Sequence, residues 1–204
     1  SVTCPVCGMM FARGTEDEKV HRAFHKQHER PTPPQKCKVL LKYGESVASF
    51  ESDGGKIVVV RQADVVKGCK SLRDVIGAVV ARVNAELCFH TSGGDGNSGG
   101  NAAVIGSDSS AAFVYMDEEN RAVGCVIAER ISVAHHAIPK EGPDDSAMRC
   151  SKEDVKAVAG VSRVWVHPES RRHGVATRLI DAVRDSFLYG YKIPLTELAF
   201  SQPT

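Results

Sequence analysis

One stretch decides the fold of this chain: Val161-Ser-Arg-Val-Trp-Val-His-Pro-Glu-Ser-Arg-Arg-His-Gly-Val-Ala-Thr-Arg-Leu-Ile180. Its first part is rich in β-branched residues and predicts a mostly buried strand over 158–166. Proline has no N–H to offer a neighbouring strand, so His167-Pro168 ends it. Apolar residues then recur at helical spacing, which predicts an amphipathic helix over 173–190. Those residues are Val175, Leu179, Ile180, Val183 and Phe187.

The turn between this strand and this helix is basic. The N–H groups of a helix's first turn have no partners inside the helix, and Arg171 and Arg172 stand beside them. Gly174 removes a side chain where the backbone must come close to a ligand. Together these residues predict a pocket for a pyrophosphate group. The alternative is an ordinary tight turn with solvated arginines.

Length and charge restrict the classes of protein. At 204 residues, the chain has room for one ordinary domain and a small module. Lys plus Arg number 26 and Asp plus Glu 25, so no overall field favours nucleic acid or a membrane surface. No apolar run is long enough to span a bilayer, and a signal-peptide pattern is missing. Of seven cysteines only Cys4 and Cys7 are close together, which predicts a soluble protein of a reducing, intracellular compartment.

The N-terminal residues carry a metal-binding pattern. Cys4 and Cys7 form a two-cysteine knuckle, and thirteen residues separate it from His21. His25 follows one turn later on a predicted helix, so both imidazoles share one face. Two thiolates and two imidazoles are the donor set of a structural, four-coordinate Zn²⁺ site. His28 is expected to be solvated.

The finger helix begins with acidic residues. Thr15 and Glu18 predict a capping box at its start. Acidic side chains oppose DNA phosphates, and DNA-reading fingers usually occur in tandem. A structural or protein-docking finger is therefore favoured over direct DNA binding. The chain then divides into a zinc finger at 1–30, a proline-rich linker at 31–36 and a second domain at 37–204.

The second domain is predicted to be α+β, with a mainly antiparallel sheet flanked by helices. A helix over Ser71–Leu87 has Ser71 as its expected N-cap. Residues 92–101 predict a flexible Gly-rich insertion, and residues 139–154 a polar loop. Further strands are predicted at Lys38–Tyr43, Ser46–Glu51, Lys56–Arg61, Ala111–Met116, Ala122–Val133 and Glu197–Phe200.

Arg171-x-x-Gly174-x-Ala176, between a strand and a helix, resembles the coenzyme A signature of the GCN5-related N-acetyltransferases. In that fold two neighbouring parallel strands splay apart to admit the cofactor. With the finger included, the chain resembles more specifically the cohesin acetyltransferases, the establishment-of-cohesion family. The other segments that carry this resemblance are Cys7-Gly-Met9, Gly160-Val-Ser-Arg-Val-Trp-Val166, Phe187-Leu-Tyr-Gly190 and Leu198-Ala-Phe-Ser-Gln-Pro-Thr204.

The resemblance implies a lysine N-acetyltransferase that moves acetyl from acetyl-CoA to the SMC-type subunit of cohesin, promoting sister-chromatid cohesion. It implies a nuclear, chromatin-associated protein with chromatin proteins as partners, acetyl-CoA as cosubstrate and a structural Zn²⁺. Family members continue past Thr204, so a truncated C-terminal end is expected. A catalytically weak adaptor with this fold, and an acetyltransferase for a histone or another acceptor, are the alternatives.

The resemblance also implies the site residues. The backbone of Val164 and Val166, on either side of Trp165, is expected to pair with the pantetheine amides. Ser162 and Trp165 are expected near the acyl group or the acceptor channel; a local hydrogen bond and a core position are their alternatives. Pyrophosphate contacts are expected from Arg171, Arg172, His173, Gly174, Val175, Ala176 and Thr177.

The reaction requires a base, because a lysine amine is protonated at neutral pH. In related family members a Glu on the motif helix is a candidate, and the aligned residue here is Asp181, one methylene shorter. The alternative for Asp181 is a solvated acid beside Arg178 and Arg184. Several relatives carry Asp where this chain has Gln202, which cannot accept a proton. Ser201 and Gln202 are therefore expected to contact the substrate.

Overall fold

The computed structural model describes residues 2–3, 10–29, 34–87, 104–138 and 149–201. The chain forms two compact units, Ser1–Pro34 and Gln35–Thr204. Within the described ranges, no helix combines the length and the apolar character that crossing a membrane requires.

The first unit consists of a small hairpin and a helix. β1 (Val2–Thr3) pairs antiparallel with β2 (Met10–Phe11), and α1 (Glu16–Glu29) follows. The Cys4–Cys7 knuckle falls between the two strands, outside the described residues. The described part of this unit is therefore a short antiparallel strand pair followed by one helix.

The start of α1 differs from the predicted capping box. Thr15 Oγ1 donates to the Ala12 carbonyl at 2.9 Å, and the Glu18 N–H, which a capping box would direct to that hydroxyl, donates to the Thr15 carbonyl at 3.1 Å. The Glu18 carboxylate instead accepts the Gly14 N–H at 2.7 Å and pairs with Arg22 at 2.7 Å. These two donors, the Gly14 N–H first, lower the pKa of the Glu18 carboxyl. The acidic first turn also suits the positive end of the helix dipole.

The second unit has these elements in chain order: β3 (Gln35–Lys36), α2 (Leu40–Tyr43), β4 (Glu45–Phe50), β5 (Gly55–Arg61), α3 (Gln62–Lys67), α4 (Lys70–Glu86), β6 (Ala111–Met116), β7 (Arg121–Arg130), β8 (Val133–Ile138), β9 (Arg149–Lys156), β10 (Ala159–Val166), α5 (Val175–Ser186) and β11 (Leu198–Phe200). Seven of these strands form one sheet with helices on both faces, and the strand order is β11-β10-β7-β6-β5-β4 with β3 on β7. The pairs in this sheet are antiparallel except for the parallel β10–β11 pair, and β8 and β9 form a separate antiparallel pair.

Most predicted elements of the second unit are confirmed, and three local predictions in this unit are wrong. The segment Lys38–Tyr43, predicted as a strand, contains the short helix α2 instead. Leu40 is buried in this helix, and the segment lacks the alternation of apolar and polar residues that is typical of a half-buried strand. Part of the expected loop 139–154 belongs to the charged strand β9. Its side chains are largely exposed, so it lacks the apolar pattern from which a strand is predicted. The N-cap of α4 is Cys69 rather than Ser71. The predicted insertion at 92–101 lies outside the described residues.

The core has two halves, one on each face of the sheet. Every residue of β6 is buried, because both of its faces are covered. Val114 and Met116 pack on the α4 side, whereas Phe113 and Tyr115 pack on the α5 side. Strands covered on both faces are near-continuous in apolar residues, which is why this strand is evident in the sequence.

A glycine on β7 lets α5 approach the sheet closely. A Cβ atom at Gly124 would lie 2.7 Å from Val175 Cγ1 and 3.0 Å from Leu179 Cδ1. Both of these side chains are buried. Gly124 therefore sets the distance at which the first turns of α5 lie above the sheet.

Candidate active site

β10 and β11 start as paired parallel neighbours. Ser201, just after β11, still donates its N–H to the Val161 carbonyl at 2.9 Å. In the part of the chain that the structure describes, no strand pairs with this side of β10 beyond Val161. From Arg163 onwards β10 is paired with β7 on one side and open on the other. The residue pairs are Ala159↔Leu198, Gly160↔Ala199 and Val161↔Phe200.

A β-bulge at Ser162 marks the point of divergence. The pairing of β10 with β7 passes from Val161 to Arg163, which leaves Ser162 without an opposite residue. The Ser162 hydroxyl donates to the Ile127 carbonyl at 3.3 Å. Its carbonyl accepts the Ser201 hydroxyl at 2.9 Å. Both predicted serines therefore lie together at this point, and the local hydrogen bond considered for Ser162 is present.

The backbone of Val164 and Val166 faces the open side. The His167 N–H donates to the Val123 carbonyl of β7 at 2.8 Å. Backbone groups of successive residues alternate in direction along a strand, so Val164 and Val166 point away from β7. The Val166 carbonyl accepts Arg171 Nε–H at 3.0 Å, which ties the basic turn to the end of the strand.

The turn before α5 has an unusual backbone. Arg172 and Gly174 have φ values of 66° and 76°, and left-handed non-glycine residues cluster at functional sites. Among the residues that the structure describes, no side chain caps the N–H groups at the start of α5, and the first turn of this helix has no acidic residue. Arg171 and His173 are exposed beside it. Free N–H groups, the positive end of the helix dipole and cationic side chains form an anion-binding site.

The first residues of α5 contribute in different ways. Val175 is only 4% exposed, and its side chain packs over Gly124. Ala176 is half-buried, and the Thr177 hydroxyl is exposed. The predicted pyrophosphate residues thus share one turn, and the side chain of Val175 anchors that turn.

Trp165 belongs to the core between the sheet and α4. It is 2% exposed, and its indole N–H donates to the Glu86 carboxylate at 2.7 Å. Arg82 lies over the indole, 5.2 Å from the ring centroid, and its Nε donates to Glu86 at 2.9 Å. The structure thus favours the core interpretation of Trp165. The sequence did not reveal Glu86 as its partner, because nothing in a helical pattern singles out this last-turn acid.

Asp181 lies on the outer side of α5. Leu179 and Val183 point to the sheet, and at about 100° per residue Asp181 points away from it. Its side chain is 56% exposed and pairs with Arg184 at 3.2 Å. This is the solvated arrangement considered as the alternative for Asp181, although Arg178 has a different partner. Gln202, the other predicted substrate residue, lies outside the described residues.

The first unit carries the predicted zinc ligands. The structure describes His21, whose ring stacks on Phe11 with centroids 3.9 Å apart and planes 6° apart. His25 is on the same helix one turn later, and its side chain, like Cys4 and Cys7, lies outside the described residues. The donor set of two thiols and two imidazoles fits tetrahedral Zn²⁺.

Two family models match the chain. Residues 1–27 match the zinc-finger of acetyl-transferase ESCO, and residues 155–204 match the ESCO1/2 acetyl-transferase. N-acetyltransferase ESCO2 of Mus musculus is 32% identical over 207 residues, which covers 100% of this chain and 32% of that protein. N-acetyltransferase ECO1 of Yarrowia lipolytica is 28% identical over 207 residues, which covers 64% of that protein. The chain thus spans only about a third of the length of the mouse protein.

A solved relative matches over most of its length. The xEco2 acetyltransferase domain, solved bound to a CoA conjugate, has a TM-score of 0.65 and 31% identity over 79% of this chain and 85% of that domain. The xEco2 acetyltransferase domain has a second solved structure, with a TM-score of 0.63. These similarities confirm the predicted α+β acetyltransferase fold and N-terminal zinc finger. With both ends matched by its models and a solved member covered over 85% of its length, this chain belongs to the ESCO acetyltransferase family.

Proposed function

We propose that this chain is a lysine N-acetyltransferase that moves the acetyl group of acetyl-CoA to a lysine of the SMC-type subunit of cohesin and so promotes sister-chromatid cohesion. The observation that carries the proposal is the open edge of β10, which leads to a basic, uncapped helix start. The cohesin acceptor, chromatin-associated partners and nuclear location are proposed from the family. The names of the relatives and the CoA conjugate bound by the xEco2 domain support the acetyl-CoA part.

The open edge suits an extended acyl donor. Acetyl-CoA supplies an activated thioester at the end of a chain of amides. Val164 would offer its backbone N–H and C=O groups to those amides, and Val166 its N–H, as an added strand does at a sheet edge. Trp165, between them, keeps β10 in place through its bond to Glu86. Residues 171–177 would hold the pyrophosphate, since this segment combines the uncapped N–H groups at the start of α5 with two arginines.

The acceptor lysine is proposed to reach the divergence of β10 and β11. Its ammonium, with a reference pKa of about 10.4, must lose a proton before it can attack the thioester. Ser162 would contact the amine or relay its proton, and Ser201 and Gln202 would hold the acceptor segment. Asp181 is the proposed base, through a bridging water because its carboxylate is on the outer side of α5. Asp181→Asn tests this role: kcat falls and KM for acetyl-CoA stays unchanged if the carboxylate takes the proton.

The cofactor part is tested by calorimetric titration with acetyl-CoA. Gly174→Glu adds a carboxylate at the helix start, and Gly190→Glu is the matched control. Both glycines are left-handed, with φ of 76° and 69°, and at both an added Cβ meets no atom of the described residues within 4 Å. Backbone strain and added charge are therefore alike in the two variants. We expect saturable binding to the parent and to Gly190→Glu, and loss of binding in Gly174→Glu; equal binding by both variants contradicts the proposal.

The acceptor is tested by offering the zinc-loaded protein the cohesin SMC head domain and histone tails side by side. Mass spectrometry then locates the acetylated lysines. Preferential modification of the SMC-type subunit is expected. Modification of histones alone would support the alternative acceptor, and cofactor binding with no transfer to any acceptor would support an adaptor.

A structural Zn²⁺ held by Cys4, Cys7, His21 and His25 is part of the proposal. Four protein ligands leave no open position, so the metal stabilises the fold of the finger and takes no part in acyl transfer. Metal analysis should find one zinc per chain, and Cys7→Ser should lose it. A Cys7→Ser protein that keeps its full zinc content would contradict this ligand set.

A further inference from the structure

Arg178, one turn into α5, is the centre of a polar and aromatic cluster. Its Nη1 donates to Asp53 Oδ2 and to the Tyr115 hydroxyl, both at 2.6 Å. Its Nη2 lies 3.4 Å from Ser52 Oγ, and the guanidinium is 4.4 Å from the centroid of the Phe50 ring. The Tyr115 hydroxyl in turn donates to Asp53 at 2.9 Å. One guanidinium thus engages a carboxylate, two hydroxyls and an aromatic face.

This cluster joins two elements that are far apart in the sequence. Asp53 lies in the turn between β4 and β5, and its Oδ1 also accepts the Gly55 N–H at 3.2 Å. A side chain at Gly55 would collide with the Tyr115 hydroxyl, so the turn is packed directly against that group. Arg178 donates its own N–H to the Gly174 carbonyl at 3.0 Å, which closes the first turn of α5. The cluster therefore fastens the β4–β5 turn to the residue that completes this helical turn.

Charge is part of the arrangement. The carboxylate of Asp53, whose side chain is 40% exposed, would repel a ligand pyrophosphate at the start of α5 if it were unpaired. Arg178 neutralises it, with a side chain that is only 27% exposed. A charge-assisted, multiply bonded guanidinium holds its geometry better than a single ammonium can.

We propose that Arg178, held by Asp53 and Tyr115, is a positioning residue that sets the first turn of α5 for the pyrophosphate of the acyl donor. The inference rests on the proposed function and extends it to residues outside the Arg-x-x-Gly-x-Ala motif. Arg178 touches no reacting atom; it acts through the backbone of residues 174–178.

The test compares two acyl donors. Acetyl-CoA carries the pyrophosphate, and S-acetylpantetheine ends before it. Arg178→Gln should raise KM for acetyl-CoA about tenfold, with a smaller change in kcat, and leave kcat/KM for S-acetylpantetheine within about twofold of the parent. Arg178→Lys should recover part of the loss. Arg73→Gln, which removes the same charge from α4, should behave as the parent.

Two outcomes overturn the inference: an equal loss with both donors, which indicates a general defect of the fold, and an unchanged KM for acetyl-CoA. Asp53→Asn separates positioning from repulsion. Weaker acetyl-CoA binding in Asp53→Asn, and no further loss in the double variant with Arg178→Gln, are expected if the pair works as one unit. Tighter binding in Asp53→Asn overturns the inference. A parent that uses neither donor and binds no CoA refutes the proposed function itself.

Discussion

Gly124→Ala tests whether the close approach of α5 to β7 is a built feature of the fold. The new Cβ would lie 2.7 Å from Val175 Cγ1, whereas carbon atoms in good contact are about 3.5–4.0 Å apart. α5 must therefore move by roughly 1 Å, and overpacking of this kind costs about 1–3 kcal/mol. Replacing a glycine at an ordinary φ returns about 0.4–1 kcal/mol through the unfolded chain. A net loss of about 1–2 kcal/mol is expected.

The chain contains a built-in reporter and a matched control. Trp165 is the single tryptophan and lies in the core, so urea unfolding can be followed by its fluorescence. With a slope of about 2 kcal/mol per molar urea, the midpoint should fall by about 0.5–1 M. Gly77→Ala, in the interior of α4, has its nearest neighbour at an ordinary 3.7 Å. It should raise stability by about 0.5–1 kcal/mol, because alanine favours the helix.

A second substitution tests whether the contact with Val175 causes the loss of stability. Val175→Ala removes the closest clashing atom, so the double variant with Gly124→Ala should lose less than the sum of the two single variants. Acetyl-CoA affinity should fall in Gly124→Ala, because the displaced helix carries the proposed pyrophosphate turn. A Gly124→Ala protein as stable as Gly77→Ala, or strict additivity with Val175→Ala, would refute the idea that this glycine sets the position of α5.

Two carboxylates, two cysteines and the zinc ion give further predictions about stability and thiol reactivity. Glu86→Gln should cost about 1–2 kcal/mol in urea unfolding, since the indole of Trp165 keeps a weaker acceptor and loses a charge-assisted bond. Burial acts to raise the pKa of the Asp53 carboxyl, but hydrogen bonds from Tyr115, Arg178 and the Gly55 N–H together lower it below its ordinary 3.8. The stability from this pair is therefore present above pH 3.8 and is lost as the pH falls through the lowered pKa, and Asp53→Asn should flatten this part of the curve of unfolding free energy against pH. Burial raises the pKa of Cys125 to about 12, whereas the Leu72 N–H and the Tyr43 side chain lower that of Cys69, so iodoacetamide at pH 8 followed by peptide mapping should label Cys69 and spare Cys125. Chelation of zinc should abolish the helical circular dichroism of a peptide spanning 1–34, and zinc should restore it.

The sequence predicts the centre of the second unit well. Ala111–Met116 is a continuous apolar run because both faces of β6 are covered, and its bounds are confirmed. The strand ending at Val166, the proline after it and the helix from Val175 follow from local rules of pairing and capping. These elements can be predicted because the apolar pattern of each one agrees with its burial in the folded chain.

The remaining features depend on contacts between distant residues. Arg178 donates a hydrogen bond to Asp53, which lies 125 positions away in the sequence, and Trp165 donates one to Glu86, which lies 79 positions away. No spacing rule links such pairs, so from the sequence Asp181, and not Asp53, is expected beside Arg178. The short helix at Leu40 was not predicted for a different reason. An apolar run of this length is equally typical of a strand and of a buried helical turn.

The bulge at Ser162 has a consequence for comparing members of this family. Side chains alternate between the two faces of a strand, so one extra residue reverses the assignment of everything after it. Here Val161 and Val164 share a face, and Trp165 occupies the other. An alignment that opens a one-residue gap at this position would equate Trp165 with a residue of the opposite face. Homologues should therefore keep the number of residues from Ala159 to His167 constant even where the residues themselves diverge, and a natural deletion there would mark a protein whose strand has been rebuilt.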